Sequence, residues 1–280
     1  MGVHTSIAGG LENAAHHARE IGCDTFQMFS ASPRGWNAQE PTPDTYARFR
    51  AAREKHKLAP VVIHDNYLIN LAASDTVIRE NSIAAFRKEI ERALALGADF
   101  LVTHPGSAKG GTAAVAIETC AASLKEAASG LRLDGLTILI ENTAGQGSAI
   151  GRTFEEVAEI IARAEGELPM GACIDTAHCF AAGYRIHIPD GLRATVKHLD
   201  ATVGIGRVRV IHANDSKTAY NSHADRHEHI GKGQIGAEAF GRIVRHPKLR
   251  SIPFICETPY DRPDDDKRNL RMMRKLAGLA

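Results

Sequence analysis

Pro60-Val-Val-Ile-His64 sets three branched apolar residues between a proline and a histidine. The run is too short for a helix and is apolar without alternation, which is how a strand buried on both faces reads. It ends on a polar side chain that a bare core does not accommodate. The same form recurs in Phe100-Leu-Val-Thr-His104, Thr137-Ile-Leu-Ile-Glu141, Met170-Gly-Ala-Cys-Ile-Asp175, Val208-Arg-Val-Ile-His212 and Pro253-Phe-Ile-Cys-Glu257. Gly2-Val-His4 and Thr25-Phe-Gln-Met-Phe29 bring the set to eight, with one helical stretch between neighbours. Eight strands alternating with helices predict an α/β fold, a (β/α)8 TIM barrel, as a single domain over residues 1–280.

The bulk composition agrees. A chain of 280 residues suits one such barrel, whose usual size is about 250 residues, and no Pro, Gly or Ser stretch long enough to be a linker interrupts it. Hydrophobic residues at 44% and charged residues at 24% can bury a core without disulfides or metals as staples. No apolar stretch approaches the ~20 residues of a membrane span, and the N-terminus lacks a signal-like apolar core. A cytoplasmic protein with no membrane association is expected. Cys23, Cys120, Cys173, Cys179 and Cys256 show no Cys-x-x-Cys spacing, so reduced thiols are expected rather than a disulfide framework or a zinc knuckle. Cys173 reads as a small core residue. A net charge of +1 neither advertises nor excludes nucleic acid, because bound divalent ions would make one face locally cationic.

Helical periodicity follows the strands. Ile83, Phe86, Ile90 and Leu94 predict a helix over Asn81 to Leu96, stopped by Gly97. Thr153-Phe-Glu-Glu156 has the form of a capping box. Glycine-rich turns at Gly9-Gly10, His104-Pro-Gly-Ser107, Lys109-Gly-Gly111, Gly145-Gln-Gly-Ser148 and Gly231-Lys-Gly-Gln-Ile-Gly236 mostly follow strand ends. Such turns serve positive φ angles, and they also let backbone N–H groups approach an anionic ligand.

Nine candidate metal ligands, His64, His104, Glu141, Asp175, His178, His212, Asp225, His227 and Glu257, lie mostly at or just past strand ends. That is the face on which barrel enzymes build their sites. A lone histidine there is more often a satisfied core or rim residue than a ligand. Five imidazoles and four carboxylates converging on one mouth are different, because buried bare they would repel and desolvate at high cost. Metal ions resolve that conflict. Asp175 and His178 stand three apart just past a strand, and Asp225 and His227 stand two apart, on one side of an extended chain. A mixed His and carboxylate set suits Zn, Mn or Fe better than Mg or Ca. With one bridging carboxylate the set makes about ten bonds, enough for three ions that each keep open positions. Ions a few ångströms apart suit in-line displacement at phosphorus, with a metal-bridged hydroxide attacking and another ion stabilising the departing alkoxide. Phosphodiester hydrolysis is the expected chemistry.

The sequence resembles the endonuclease IV family of metal-dependent apurinic/apyrimidinic endonucleases along essentially its whole length. The motifs are His64-Asp-Asn-Tyr-Leu-Ile-Asn-Leu71, His104-Pro-Gly-Ser107, Ile140-Glu-Asn-Thr-Ala-Gly-Gln-Gly147, Cys173-Ile-Asp-Thr-Ala-His178, Phe180-Ala-Ala-Gly-Tyr184, His212-Ala-Asn-Asp-Ser-Lys217, Asp225-Arg-His-Glu-His-Ile-Gly-Lys-Gly-Gln-Ile-Gly236 and Glu257-Thr-Pro259. The resemblance implies a DNA base-excision repair hydrolase that cleaves the phosphodiester 5′ to an abasic site, leaving a 3′-hydroxyl and a 5′-deoxyribose phosphate. It also implies three zinc ions. One would be held by His64, His104 and Glu141, a second by Glu141, Asp175, His212 and Glu257, and a third by His178, Asp225 and His227. Glu141, Glu257 and Asp175 would be catalytic. Arg34, Tyr67 and Leu68 match the positions that penetrate the duplex, where an aromatic ring or guanidinium stacks in a vacated base position. The implied partner is damaged double-stranded DNA, bound by a monomer.

Some features depart from the pattern. Pro33 stiffens the loop Ala31-Ser-Pro-Arg-Gly-Trp36, and Trp36 either meets DNA or anchors its own loop. His229 is an extra imidazole near the third set, and His4 faces the same mouth. Two rival functions share parts of the reading: a divalent-metal sugar isomerase or epimerase of the xylose isomerase-like superfamily, and a non-catalytic damaged-DNA binder. The first leaves His178, Asp225 and His227 without a purpose, and the second leaves an intact ligand set without one.

Overall fold

In the computed structural model, which describes residues 1–32, 35–36 and 40–279, the eight expected strands form one parallel sheet. They are β1 (Gly2–Val3), β2 (Phe26–Phe29), β3 (Val61–His64), β4 (Phe100–Thr103), β5 (Thr137–Glu141), β6 (Met170–Asp175), β7 (Val208–His212) and, after a small hairpin of β8 (Asp215–Ser216) and β9 (His227–Glu228), β10 (Phe254–Cys256). The sheet order is β1-β10-β7-β6-β5-β4-β3-β2, and a parallel bridge between His4 and Gln27 joins its two ends into a nearly closed barrel. The hairpin was not foreseen: two-residue strands are shorter than any periodicity.

Helices α1 (Leu11–Ile21), α2 (Pro43–His56), α3 (Thr76–Leu96), α4 (Ala113–Ala128), α5 (Phe154–Ala164), α6 (Thr176–Ala181), α7 (Pro189–Thr202), α8 (Ala237–Arg245) and α9 (Asp265–Ala277) fill the connections. No described helix is long and apolar enough to cross a membrane. Helix α3 starts five residues before the expected Asn81, because the Asp75 side chain accepts the Ile78 N–H and caps a first turn with no apolar period. Helix α5 is capped by Thr153, which accepts the Glu156 N–H, but the returning Glu156 carboxylate takes the N–H of Arg152 instead of that of Thr153. The capping box is thus displaced by one residue on its reciprocal arm.

Strand alternation decides where the polar ends go. Val62, Val102, Leu139, Cys173, Val210 and Ile255 form a buried cluster of their own inside the barrel, apart from the larger core between strands and helices. Two residues further along each strand stand His64, His104, Glu141, Asp175, His212 and Glu257. A period of two returns a side chain to the same face. The six strand-end ligands are therefore the next layer of the barrel's own interior. The expected role of Cys173 holds, since it lies in the apolar layer and burial pushes its thiol well above the ordinary range.

Candidate metal centre

Glu141 is the centre of the cluster. It is completely buried, with Oε2 at 3.2 Å from Nε2 of both His64 and His104, and Oε1 at 3.3 Å from Nδ1 of His178 and 3.0 Å from Nδ1 of His212. Burial alone would raise its pKa, but the imidazoles of His212 and His104 outweigh that and hold the carboxyl well below the usual range. The effect is reciprocal. Burial opposes charge on His64, yet Glu141 lifts it to about 10.

At the barrel mouth, ligand atoms come close together in His64 with His104 and Glu141; in Glu141 with Asp175, His212 and Glu257, where Cys173 also stands near Glu141 and His212; and in Asp175 with His178 and His227. The first two match the expected sets. For the third, Asp225 completes the expected set, its Oδ2 at 3.2 Å from Nε2 of His178 and its Oδ1 at 3.3 Å from Nε2 of His227. Asp175 serves local structure as well, accepting the His178 N–H at 2.7 Å as the cap of α6. That explains the three-residue spacing of the pair.

Most of the imidazoles are oriented from behind. His64, His178 and His227 each meet a backbone carbonyl through Nδ1, those of Asp65, Asn142 and Glu257, at 2.9, 2.8 and 3.0 Å. A carbonyl only accepts, so Nδ1 carries the proton and Nε2 is left facing the cluster. His178 Nε2 and His227 Nε2 are buried without a hydrogen-bond partner among the described residues, although the Asp225 carboxylate lies beside both. Buried orphans aimed at a carboxylate suit a cation held between them. Asn214 joins two ligand-bearing strand ends: its Nδ2 donates to the Asp175 carboxylate at 2.6 Å, and its Oδ1 accepts the Glu257 backbone N–H at 2.7 Å. This donor set fits divalent metal, and the clusters suit a metal-binding site.

Above the cluster opens a cleft of about 1090 Å³, lined by His64, His104, His178, Asp225, His227 and Glu257 and rimmed by Tyr67 and Tyr260. Tyr67 is 64% exposed on a turn in which Asn66 Oδ1 accepts the Leu68 N–H at 3.0 Å, while Leu68 is half-buried. Trp36 is 42% exposed and also borders a crevice with Asn66, Glu89 and Arg92. Arg34 and Pro33 lie outside the described residues. Tyr260, at 61% exposure, was not anticipated; an aromatic shortly after a strand-end ligand is the signal that could have found it.

His229 stands apart from the third set, in a separate group with Asp261 and Asp265. His4 does border the cleft, and its Nδ1 lies 3.7 Å from Glu257 Oε1. The turn Gly231 to Gly236 aims its N–H groups inward: Gly231, Gly233, Ile235 and Gly236 all donate to the buried carboxylate of Asp215. That turn does cradle an anion, one supplied by the chain itself.

Comparison with known proteins agrees with this geometry. A family model described as a xylose isomerase-like TIM barrel matches residues 15–276. The chain is 51% identical over 280 residues to a probable endonuclease 4 of Solibacter usitatus, covering 99% of this chain and 97% of that one. It is 40% identical over 278 residues to a probable endonuclease 4 of Methanoculleus marisnigri, covering 99% of each. The crystal structure of endonuclease IV from Thermus thermophilus aligns with a TM-score of 0.88 at 38% identity, covering 99% of this chain and 98% of that one. A D-tagatose 3-epimerase-like protein, at 18% identity and a TM-score of 0.75, covers 100% of this chain and 98% of its own and shares the fold. With a buried His and carboxylate cluster at the mouth of a parallel barrel and these relatives along its whole length, the chain belongs to the endonuclease IV family.

Proposed function

We propose that this protein is a DNA base-excision repair endonuclease, a hydrolase that cleaves the phosphodiester 5′ to an abasic site and leaves a 3′-hydroxyl and a 5′-deoxyribose phosphate. The observation that carries the reading is the convergence of nine His, Asp and Glu side chains on one barrel mouth, in groups that share Glu141 and Asp175. Three zinc ions fit these residues, with Mn or Fe as alternatives at some positions. His64, His104 and Glu141 would hold the first, Glu141, Asp175, His212 and Glu257 the second, and His178, Asp225 and His227 the third. Bound there, the ions supply the Lewis acidity that makes water a nucleophile at neutral pH and stabilises a leaving oxyanion.

The chain's own residues do the rest. Glu141 sets the spacing of two groups and, being fully buried, does so with little freedom. Asn214 holds a carboxylate oxygen of the buried Asp175 and anchors the backbone of Glu257, whose carboxylate lines the cleft. The apolar layer beneath excludes bulk water from below, which strengthens every electrostatic contact at the mouth. Tyr67 is exposed on the rim and, with Leu68 and Arg34, is the element that enters damaged duplex DNA and fills the space of the displaced nucleotide. The protein acts as a monomer on this substrate.

The test is the identity of the product ends. A duplex carrying one abasic-site analogue should be cut only beside the analogue, and the upstream fragment should be extended by a polymerase without further processing. Fragments with blocked 3′ ends, or equal cutting of undamaged duplex, would contradict the reading.

A further inference from the structure

Strand β2 reads Phe26-Gln-Met-Phe29, and its one polar side chain, Gln27, is completely buried. A buried amide left unbonded is costly, and Gln27 is not left unbonded. Its Nε2 donates to Glu257 Oε1 and faces His4 Nδ1 at 3.0 Å, and its Oε1 faces His212 Nε2 at 2.8 Å. The orientation of the amide is chemically determined. A carboxylate only accepts, so the nitrogen must face Glu257, and the oxygen must then face His212. An amide oxygen in turn accepts, so the proton of His212 is on Nε2. That leaves Nδ1, at 3.0 Å from Glu141 Oε1 and 3.1 Å from Glu257 Oε2, as the nitrogen turned to the cluster.

We propose that Gln27 is a positioning residue for the second metal group: it selects the ligand nitrogen of His212 and fixes one oxygen of Glu257. The inference rests on the metal-dependent nuclease reading above. Gln27 does not itself hold an ion, and the first and third groups have their own supports in the carbonyls of Asp65, Asn142 and Glu257. Its removal therefore acts on one ion selectively.

The experiment measures zinc retained by parent, Gln27→Met and Gln27→Asn proteins during competition with chelators of graded strength, together with the Tm of each metal-free form. Methionine fills the space without either polar arm, and asparagine keeps the amide but shortens its reach. We expect the parent to retain three ions and both variants to hold one of them about 10–100-fold more weakly, the other two binding as in the parent and the metal-free Tm shifting by less than about 3 °C. Unchanged affinity at all three ions overturns the role of Gln27 while leaving the nuclease reading intact. Equal weakening of all three alongside a large Tm loss also overturns it, because the residue is then structural. A parent that binds no zinc overturns the reading on which the inference rests.

Discussion

Replacing Glu141 with glutamine removes a charge shared by two ligand groups. The substitution keeps the shape of a completely buried side chain, so the fold has no new volume to accommodate. It exchanges one carboxylate oxygen for an NH2 group that has no lone pair for a cation. Both oxygens matter, since Oε2 lies between His64 and His104 and Oε1 beside His178 and His212. Structural zinc binding is worth about 10–16 kcal/mol over four ligands, so one ligand's share is about 2.5–4 kcal/mol. Each of the two affected ions should weaken by about 10²–10³-fold. Zinc content after dialysis against a chelator should fall from three ions to about one, and incision should drop at least about 10³-fold. Gel-shift affinity for abasic duplex should change less than about threefold, because phosphate and groove contacts are made elsewhere. A Glu141→Gln protein that keeps its zinc and cuts within about tenfold of the parent would refute the shared-ligand assignment.

Tyr67→Ala should weaken binding of duplex abasic DNA by about 5–100-fold through lost stacking, seen as a higher KM, with zinc content unchanged; altered zinc with unaltered KM would assign Tyr67 to the wrong function. Asp215→Ala leaves the buried N–H of Ile235 and the half-buried N–H groups of Gly231, Gly233 and Gly236 without their acceptor, so Tm should fall by about 5–10 °C; a loss under about 3 °C would show that the turn finds other partners. Titrating zinc into the metal-free protein at pH 8 should release protons, because His64 is raised to about 10 and His227 to about 9 by neighbouring carboxylates despite burial; calorimetry in buffers of differing ionisation enthalpy reads this, and buffer-independent heats would contradict it. The same raised values give a sign for stability. Protonated His64 and His227 stabilise the metal-free fold fully below the unfolded value of about 6.5, and that contribution is lost as pH rises through about 9 to 10. The metal-free Tm should therefore decline across this window.

The strand ends were legible because alternation is exact in a parallel barrel: Val62 and His64, or Leu139 and Glu141, stand two apart and share the interior. Asp175 and His178 were legible as a pair, but not as a helix cap, since the cap depends on where α6 begins. The start of α3 at Thr76 was hidden because capping by Asp75, not apolar period, sets it. The Gly231 to Gly236 turn was read as an approach to a ligand because glycine spacing does not say what the N–H groups face, and Asp215 lies far from them in sequence. Gln27, Asn142 and Asn214 escaped notice for a related reason. Amides are rarely metal ligands, and their value here comes from hydrogen bonds such as that donated by the Asp175 N–H to Asn142 Oδ1, which only the folded barrel creates. A polar residue in an apolar strand was the available clue for Gln27.

Incision of a labelled duplex with a single abasic analogue, beside an undamaged control, tests the central claim when followed before chelation, after prolonged chelation, and after zinc or manganese is restored. Cleavage immediately 5′ to the lesion should vanish as the metal is removed and return with it, leaving the control intact. Cleavage that survives complete metal removal, or none at full metal occupancy, would contradict a metal-dependent repair nuclease built on Glu141 and its neighbours.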